Sequence, residues 1–136
     1  MIVYVLDSSA VLRYIDREAG GERVGKIFEV AAASGAETCL SAVQWGEVAG
    51  KVYKRAGRGP QKRVLEGLLR LGLRIVPATA ERAEHAGEIR ADRKLAYADA
   101  FAIDLAMDSP DHVLVTADYG FKDVADLARI EFLPAK

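Results

Sequence analysis

Asp7, Glu47, Asp99 and Asp118 are four acids spread over most of a 136-residue chain, and each falls where an α/β domain can bring a carboxylate to one shared mouth. Asp7 closes the apolar run in YVLDSS, Glu47 lies in VQWGEV, Asp99 in AYADAFAI and Asp118 in LVTADYGF. Carboxylates gathered closely repel one another unless a hard divalent cation neutralises them. The chemistry expected of such a set is that of a metal-dependent enzyme.

A plainer explanation competes for the three aspartates. Each precedes or opens a helix, and Asp at an N-cap is favoured over Ala by about 1 kcal/mol. Glu47 taken alone reads as an exposed helix glutamate. Asp99 fits capping least, because Ala102, Ile103 and Ala106 share its face at i+3, i+4 and i+7. A carboxylate heading that apolar stripe points toward the sheet and needs a cation or hydrogen-bond donors as partners. Asp104, at i+5, is rotated away and reads as ordinary surface. Asp108, Asp111, Asp123 and Asp126 take no role. His85 and His112 read as surface or strand-edge residues rather than ligands.

The elements that would position these acids alternate. Residues 2–6 form an unbroken apolar run, as in a strand buried on both faces. A helix over 8–18 follows, with Asp7 or Ser8 as its cap, and a second over 22–34 ends at Gly35. Residues 37–40 make a short strand. From Ser41 to Ala56 the pattern is helical, with Trp45, Val48, Ala49, Val52 and Tyr53 on one stripe. Gly57, Gly59 and Pro60 break it, and a further helix runs to about Leu71. LRIV is a third strand. Thr79 caps a helix to about Lys94, with an incomplete capping box because Arg82 stands where Glu or Gln is wanted. Tyr97 to Met107 is helical, HVLVTA is a fourth strand, residues 119–128 a last helix and RIEFL a fifth strand.

Such alternation predicts a three-layer α/β/α sandwich with a mostly parallel five-stranded sheet, the whole of 1–136 forming one domain. Ligands of open parallel sheets bind beyond the carboxyl ends of the strands, where Asp7 and Asp118 both lie. Composition agrees with a globular protein: 51% of residues are hydrophobic, 29% charged, and the net charge is −1. No global positive field advertises nucleic acid, so any such contact needs a local patch. Cys39 is the only cysteine, which removes an intrachain disulfide and reads as a buried small hydrophobe in a reducing interior. The first residues read as a strand rather than a signal peptide. Nothing approaches the roughly 20 apolar residues of a membrane span. The expectation is a cytoplasmic protein.

The ordered motifs VLDSSAVL, AVQWGEV, LAYADAFAIDLA and VLVTADYGF span residues 5–121. Together they resemble the PIN domain, and specifically the VapC-like toxin ribonucleases of type II toxin–antitoxin systems. The resemblance implies a PIN-like fold and a metal-dependent endoribonuclease. It implies that Asp7, Glu47, Asp99 and Asp118 hold Mg²⁺ or Mn²⁺, with Ser9 and Thr116 as hydrogen bonders that fix the carboxylate rotamers. It further implies an RNA substrate, a cognate antitoxin laid across the acidic groove, and a homodimer. Many relatives carry Asn three residues before the helical Glu, where this chain has Gln44. The chemistry is consistent: phosphodiester hydrolysis needs an activated water and neutralisation of the phosphorane-like oxygens, and a carboxylate-held hard cation supplies both.

Between Lys51 and Arg63 lie six basic residues and no acid. Lys51, Lys54, Arg55 and Arg58 are candidate RNA contacts, weighed against a solvated helix face. Arg13, Arg17 and Arg23 add cations beyond the first strand. Trp45, Tyr14, Phe28 and Tyr53 are candidates for apolar partner surfaces, although aromatics at helical spacing are more often core. Two other functions compete with the nuclease. A catalytically silent PIN-like RNA- or protein-binding module would lack part of the quartet. A phosphoaspartyl receiver domain would carry an acidic pair after its first strand, where this chain has Ser8 and Ser9; only Lys136 near the last strand favours it.

Overall fold

The computed structural model describes residues 1–135; Lys136 lies outside the described residues. Five strands, β1 (Ile2–Leu6), β2 (Ala36–Ser41), β3 (Arg74–Val76), β4 (His112–Thr116) and β5 (Arg129–Phe132), form one sheet in the order β3-β2-β1-β4-β5. All four ladders are parallel, so the sheet is wholly rather than mostly so. The helices are α1 (Ser8–Ile15), α2 (Gly21–Ala32), α3 (Ala42–Ala56), α4 (Arg58–Arg70), α5 (Ala80–Asp92) and α6 (Tyr97–Ala106).

Successive strand residues face opposite sides, and the apolar run of β1 feeds two cores accordingly. Val3 and Val5 join Cys39 and Leu114 under α5 and α6. Leu6, Leu40 and Val115 pack beneath α1, α2, α3 and α4 through Val11, Val24, Ile27, Val48 and Leu68. The result is helix, sheet, helix. Cys39 is buried in the first core, and burial pushes its thiol up to about 11, which leaves it an inert hydrophobe.

Several boundaries differ from the sequence reading for local reasons. The first helix stops at Ile15 rather than running to 18, and Arg17 turns the chain with φ 53. The second helix ends in a Schellman motif, with Ser34 N–H on Ala31 O and Gly35 N–H on Val30 O. Its left-handed residue is Ser34 (φ 62), not Gly35. The helix expected over 119–128 is only a 3₁₀ helix over Tyr119–Val124. Thr79 does cap α5, accepting from Arg82 N–H at 3.2 Å.

Asp104 corrects the expectation of a surface residue. It is 5% exposed, because every residue of α6 from Ala100 to Ala106 is buried between the sheet and α5. The rotation away from Asp99 is real, but the face reached is covered by α5. Arg82 Nη1 donates to Asp104 at 2.9 Å and both its Nη atoms reach Asp108, while His85 Nδ1 lies 2.7 Å from the other Asp104 oxygen. Arg82 and His85 thus hold a buried acid rather than idle on the surface.

The expected Trp45–Tyr53 stripe is partly right. Val48 and Val52 are buried and Trp45 packs against the core, but Tyr53 is exposed with Arg58 over its ring at 5.7 Å. Phe28 is core, and Tyr14 meets its ring edge-on at 5.1 Å.

Candidate active site

The order β2-β1-β4 makes the end of β1 the point where the chain's connections diverge to either side, and a crevice opens there in sheets of this kind. The register pairs Leu6 with Val115, which sets Asp7 beside Thr116.

Asp7 is 1% exposed and receives three neutral donors, which leave acceptor capacity on Oδ2. Its Oδ1 accepts from Ala10 N–H (2.9 Å) and from the Ser9 hydroxyl (2.7 Å), and its Oδ2 accepts from the Thr116 hydroxyl (2.6 Å). It is therefore the N-cap of α1, as the plainer reading expects, and Asp118 caps the short 3₁₀ helix after β4 in the same way. Burial pushes the Asp7 carboxyl up to about 6, against the lowering by those hydrogen bonds, and the Asp99 charge adds to the rise.

Ser9 and Thr116 tie β4 to that cap. The Ser9 hydroxyl accepts from Ala117 N–H at 2.9 Å, and the Thr116 hydroxyl accepts from Asp118 N–H at 2.9 Å. Asp118 is exposed and takes Gly120 N–H at 2.8 Å. A Cβ at Gly120 would lie 3.1 Å from Asp118 Oδ1, so a side chain there would crowd this turn.

Asp99 sits in the first turn of α6, half-buried, and the N-cap there is Ala96. Its carboxyl is raised by burial first, then by the Asp118 charge; a hydrogen bond from Gln44 lowers it, and the Glu47 charge raises it again. Asp99 thus lies within electrostatic reach of Asp7, Asp118 and Glu47. Glu47, exposed on α3, accepts from the Ser8 hydroxyl at 3.1 Å.

Two residues central to this geometry were noted in the sequence without these partners. Gln44 is 0% exposed; its Oε1 accepts from Ser8 N–H at 2.6 Å and its Nε2 donates to Ala98 O at 2.7 Å and, at 3.5 Å, to Asp99. It fastens the start of α1 to the start of α6. Ser8 was passed over for Ser9, yet it holds both Gln44 and Glu47. The available signal was position: Ser8 opens a helix whose first N–H groups need acceptors.

The basic candidates divide. Lys51 and Arg55 line a cleft of about 1070 Å³ together with Ser9, Asp118 and Tyr119. Arg55 also pairs with Asp16 at 2.9 Å. Lys54 is exposed on α3 but does not line this cleft, and Arg58 is drawn to Tyr53. Arg13 and Arg23 serve the fold, Arg13 on the carbonyls of Ala19 and Pro134 and Arg23 in a two-point pair with Glu131.

Among the described residues no three of the acids are already gathered at metal-holding distance. Their chemistry fits a hard cation nonetheless: all donors are carboxylate oxygens, and the groups hydrogen-bonded to Asp7, Asp99 and Asp118 are amides and hydroxyls rather than cations.

A wholly parallel α/β sheet with an aspartate following each of the neighbouring strands β1 and β4 defines a class of α/β proteins with acids at the topological switch point. The PIN domain family model matches residues 4–127, and the chain belongs to that family. No curated protein sequence matches it. Among solved structures it is similar to VapBC2 from Rickettsia felis bound to a DNA fragment from its promoter, at TM-score 0.77 and 17% identity, covering 98% of this chain and 100% of that one. DNA-bound VapBC from Salmonella typhimurium gives 0.72 at 20% identity, covering 97% and 98%. VapC20 from Mycobacterium tuberculosis, a Sarcin-Ricin loop cleaving toxin, gives 0.70 at 18%, covering 96% and 99%. At these identities the likeness is one of fold.

Proposed function

We propose that this chain is a divalent-metal-dependent endoribonuclease of the VapC toxin type, hydrolysing RNA phosphodiester bonds. The observation that carries the reading is the PIN family match over residues 4–127, supported by Asp7, Asp99 and Asp118 receiving hydroxyls and amides at this sheet edge rather than cations. Asp7, Glu47, Asp99 and Asp118 would hold Mg²⁺ or Mn²⁺, with Ser9 and Thr116 fixing the Asp7 rotamer. The bound cation supplies Lewis-acid stabilisation of the phosphoryl oxygens and an acidified water.

The protein's own part is orientation. Ser9 and Thr116 hold both Asp7 oxygens in place, and Gln44 steadies Asp99 against the start of α1. Lys51 and Arg55 offer positive charge to the RNA backbone on the Asp118 side of the mouth. Similarity to chains of VapBC pairs supports a cognate antitoxin as partner, and association with a second copy is proposed from the family resemblance alone. None of its helices is long and apolar enough to cross a membrane, among the described residues, and a cytoplasmic site of action accords with the RNA substrate.

The test is cleavage of RNA by purified protein in Mg²⁺ or Mn²⁺, repeated in chelator and with Asp7→Asn and Asp99→Asn. Cleavage that persists in chelator, or full activity in either variant, defeats the mechanism.

A further inference from the structure

The cleft beside Asp118 contains an aromatic ring that the acid chemistry leaves unused. Tyr119 follows Asp118 directly, is 40% exposed, and lines the cleft with Lys51, Arg55 and Ser9. An exposed tyrosine normally swings on its χ angles. This one is held, because its hydroxyl donates to Leu133 O at 2.7 Å and its ring meets Phe132 edge-on at 5.5 Å and 80°. The partner over its face is the ammonium of exposed Lys122, 5.0 Å from the ring centroid.

We infer that Tyr119 is a base-stacking platform beside the proposed scissile phosphate, with the adjoining stretch of strand lying in this cleft. The inference rests on the ribonuclease reading above and deepens it.

Three features point the same way. A fixed, exposed ring loses little entropy on stacking, and stacking on an aromatic face is the usual way proteins hold splayed bases. Lys51, Arg13 and Arg55 line the same cleft, Arg55 paired with Asp16 and Glu18 nearby, so Lys51 is the cation most open to a phosphate backbone. Lys122 is a cation already placed against the π face, which a base can displace toward a phosphate or share. A volume of about 1070 Å³ lies at the top of the range for small-molecule sites and suits a length of strand better than one nucleotide. The base taken must be unpaired, since one inside a duplex has no free face.

The experiment measures binding in chelator, which separates it from cleavage, using fluorescein-labelled single-stranded RNA of mixed sequence and the same RNA as a duplex. Tyr119→Leu, which keeps an apolar contact on Phe132, is expected to weaken single-strand binding by roughly 10-fold with an unchanged salt slope. Tyr119→Phe keeps the ring and is expected to bind like the wild type. Lys51→Gln is expected to lower the salt slope by about one charge instead.

Single-strand binding by Tyr119→Leu equal to the wild type overturns the platform, and so does an equal loss for duplex and single strand. If the wild type cleaves RNA while Tyr119→Leu binds normally, the platform fails and the ribonuclease reading stands. If the wild type neither binds nor cleaves any RNA, both fall.

Discussion

Two groups of acids lie on the sheet's helical layers and are balanced in opposite ways. Between α5 and α6, Asp104 is as buried as a core residue, but Arg82 and His85 reach its two oxygens and Arg82 extends to Asp108. At the mouth, Asp7 is still more buried and receives only hydroxyls and an amide, with Asp99 raising its carboxyl further. In the first group one guanidinium serves two carboxylates; in the second, Asp7 has no cationic partner, as expected of an acid with the proposed chemical role.

The sharpest break in that contrast is at the mouth. Asp7→Asn keeps the shape of the side chain and removes its charge, and should lower RNA cleavage by on the order of 10³-fold or more. Single-turnover cleavage in Mg²⁺ reads it, and a folded variant with ordinary activity would erase the distinction between the two groups.

Next comes a pH effect on stability in chelator. Folding raises the Asp7 carboxyl from 3.8 to about 6, so the folded state binds more protons than the unfolded between those values. The stabilising contribution is complete below about pH 3.8 and lost as pH rises through about 6, a span worth roughly 3 kcal/mol. Asp99 acts in the same direction. Urea midpoints should therefore fall less steeply over this window in Asp7→Asn than in the wild type; equal slopes would show that the charge at Asp7 is already relieved.

The α5–α6 group should respond in the opposite sense, through stability and not activity. Arg82→Met leaves Asp104 with His85 alone and is expected to cost about 2 kcal/mol, below the range for fully buried pairs because Arg82 is a quarter exposed. Cleavage corrected for folded fraction should be unchanged. The smallest effect belongs to the pair between Arg93 and Asp126 on the surface: Asp126→Asn should leave the thermal midpoint where it is.

How much of this the sequence discloses depends on the range of the interaction. Asp7 and Asp118 were legible because a strand end and a helix start are local signals, and the same signals placed the strands within a residue or so. Asp99 was legible through its apolar neighbours at i+3, i+4 and i+7. Asp104 was misread because helical rotation says which face a residue takes, not whether another helix covers that face. The partners of Gln44 and Ser8 stayed hidden for the same reason, since they lie 36 or more residues away. The 119–128 segment lost its helix to the tight Asp118–Gly120 turn, which a propensity reading does not weigh against ten helix-tolerant residues.

The bond from Thr116 to Asp7 closes a separation of 109 residues. A chain being synthesised therefore has no such mouth until β4 has emerged and slotted in beside β1, and contacts of that span are among the later ones to form. A fragment cut or stalled before residues 112–118 carries three of the acids but not the clasp that seats the first of them. For a protein of the proposed destructive activity, assembly order itself acts as a safety catch: no partial product is armed.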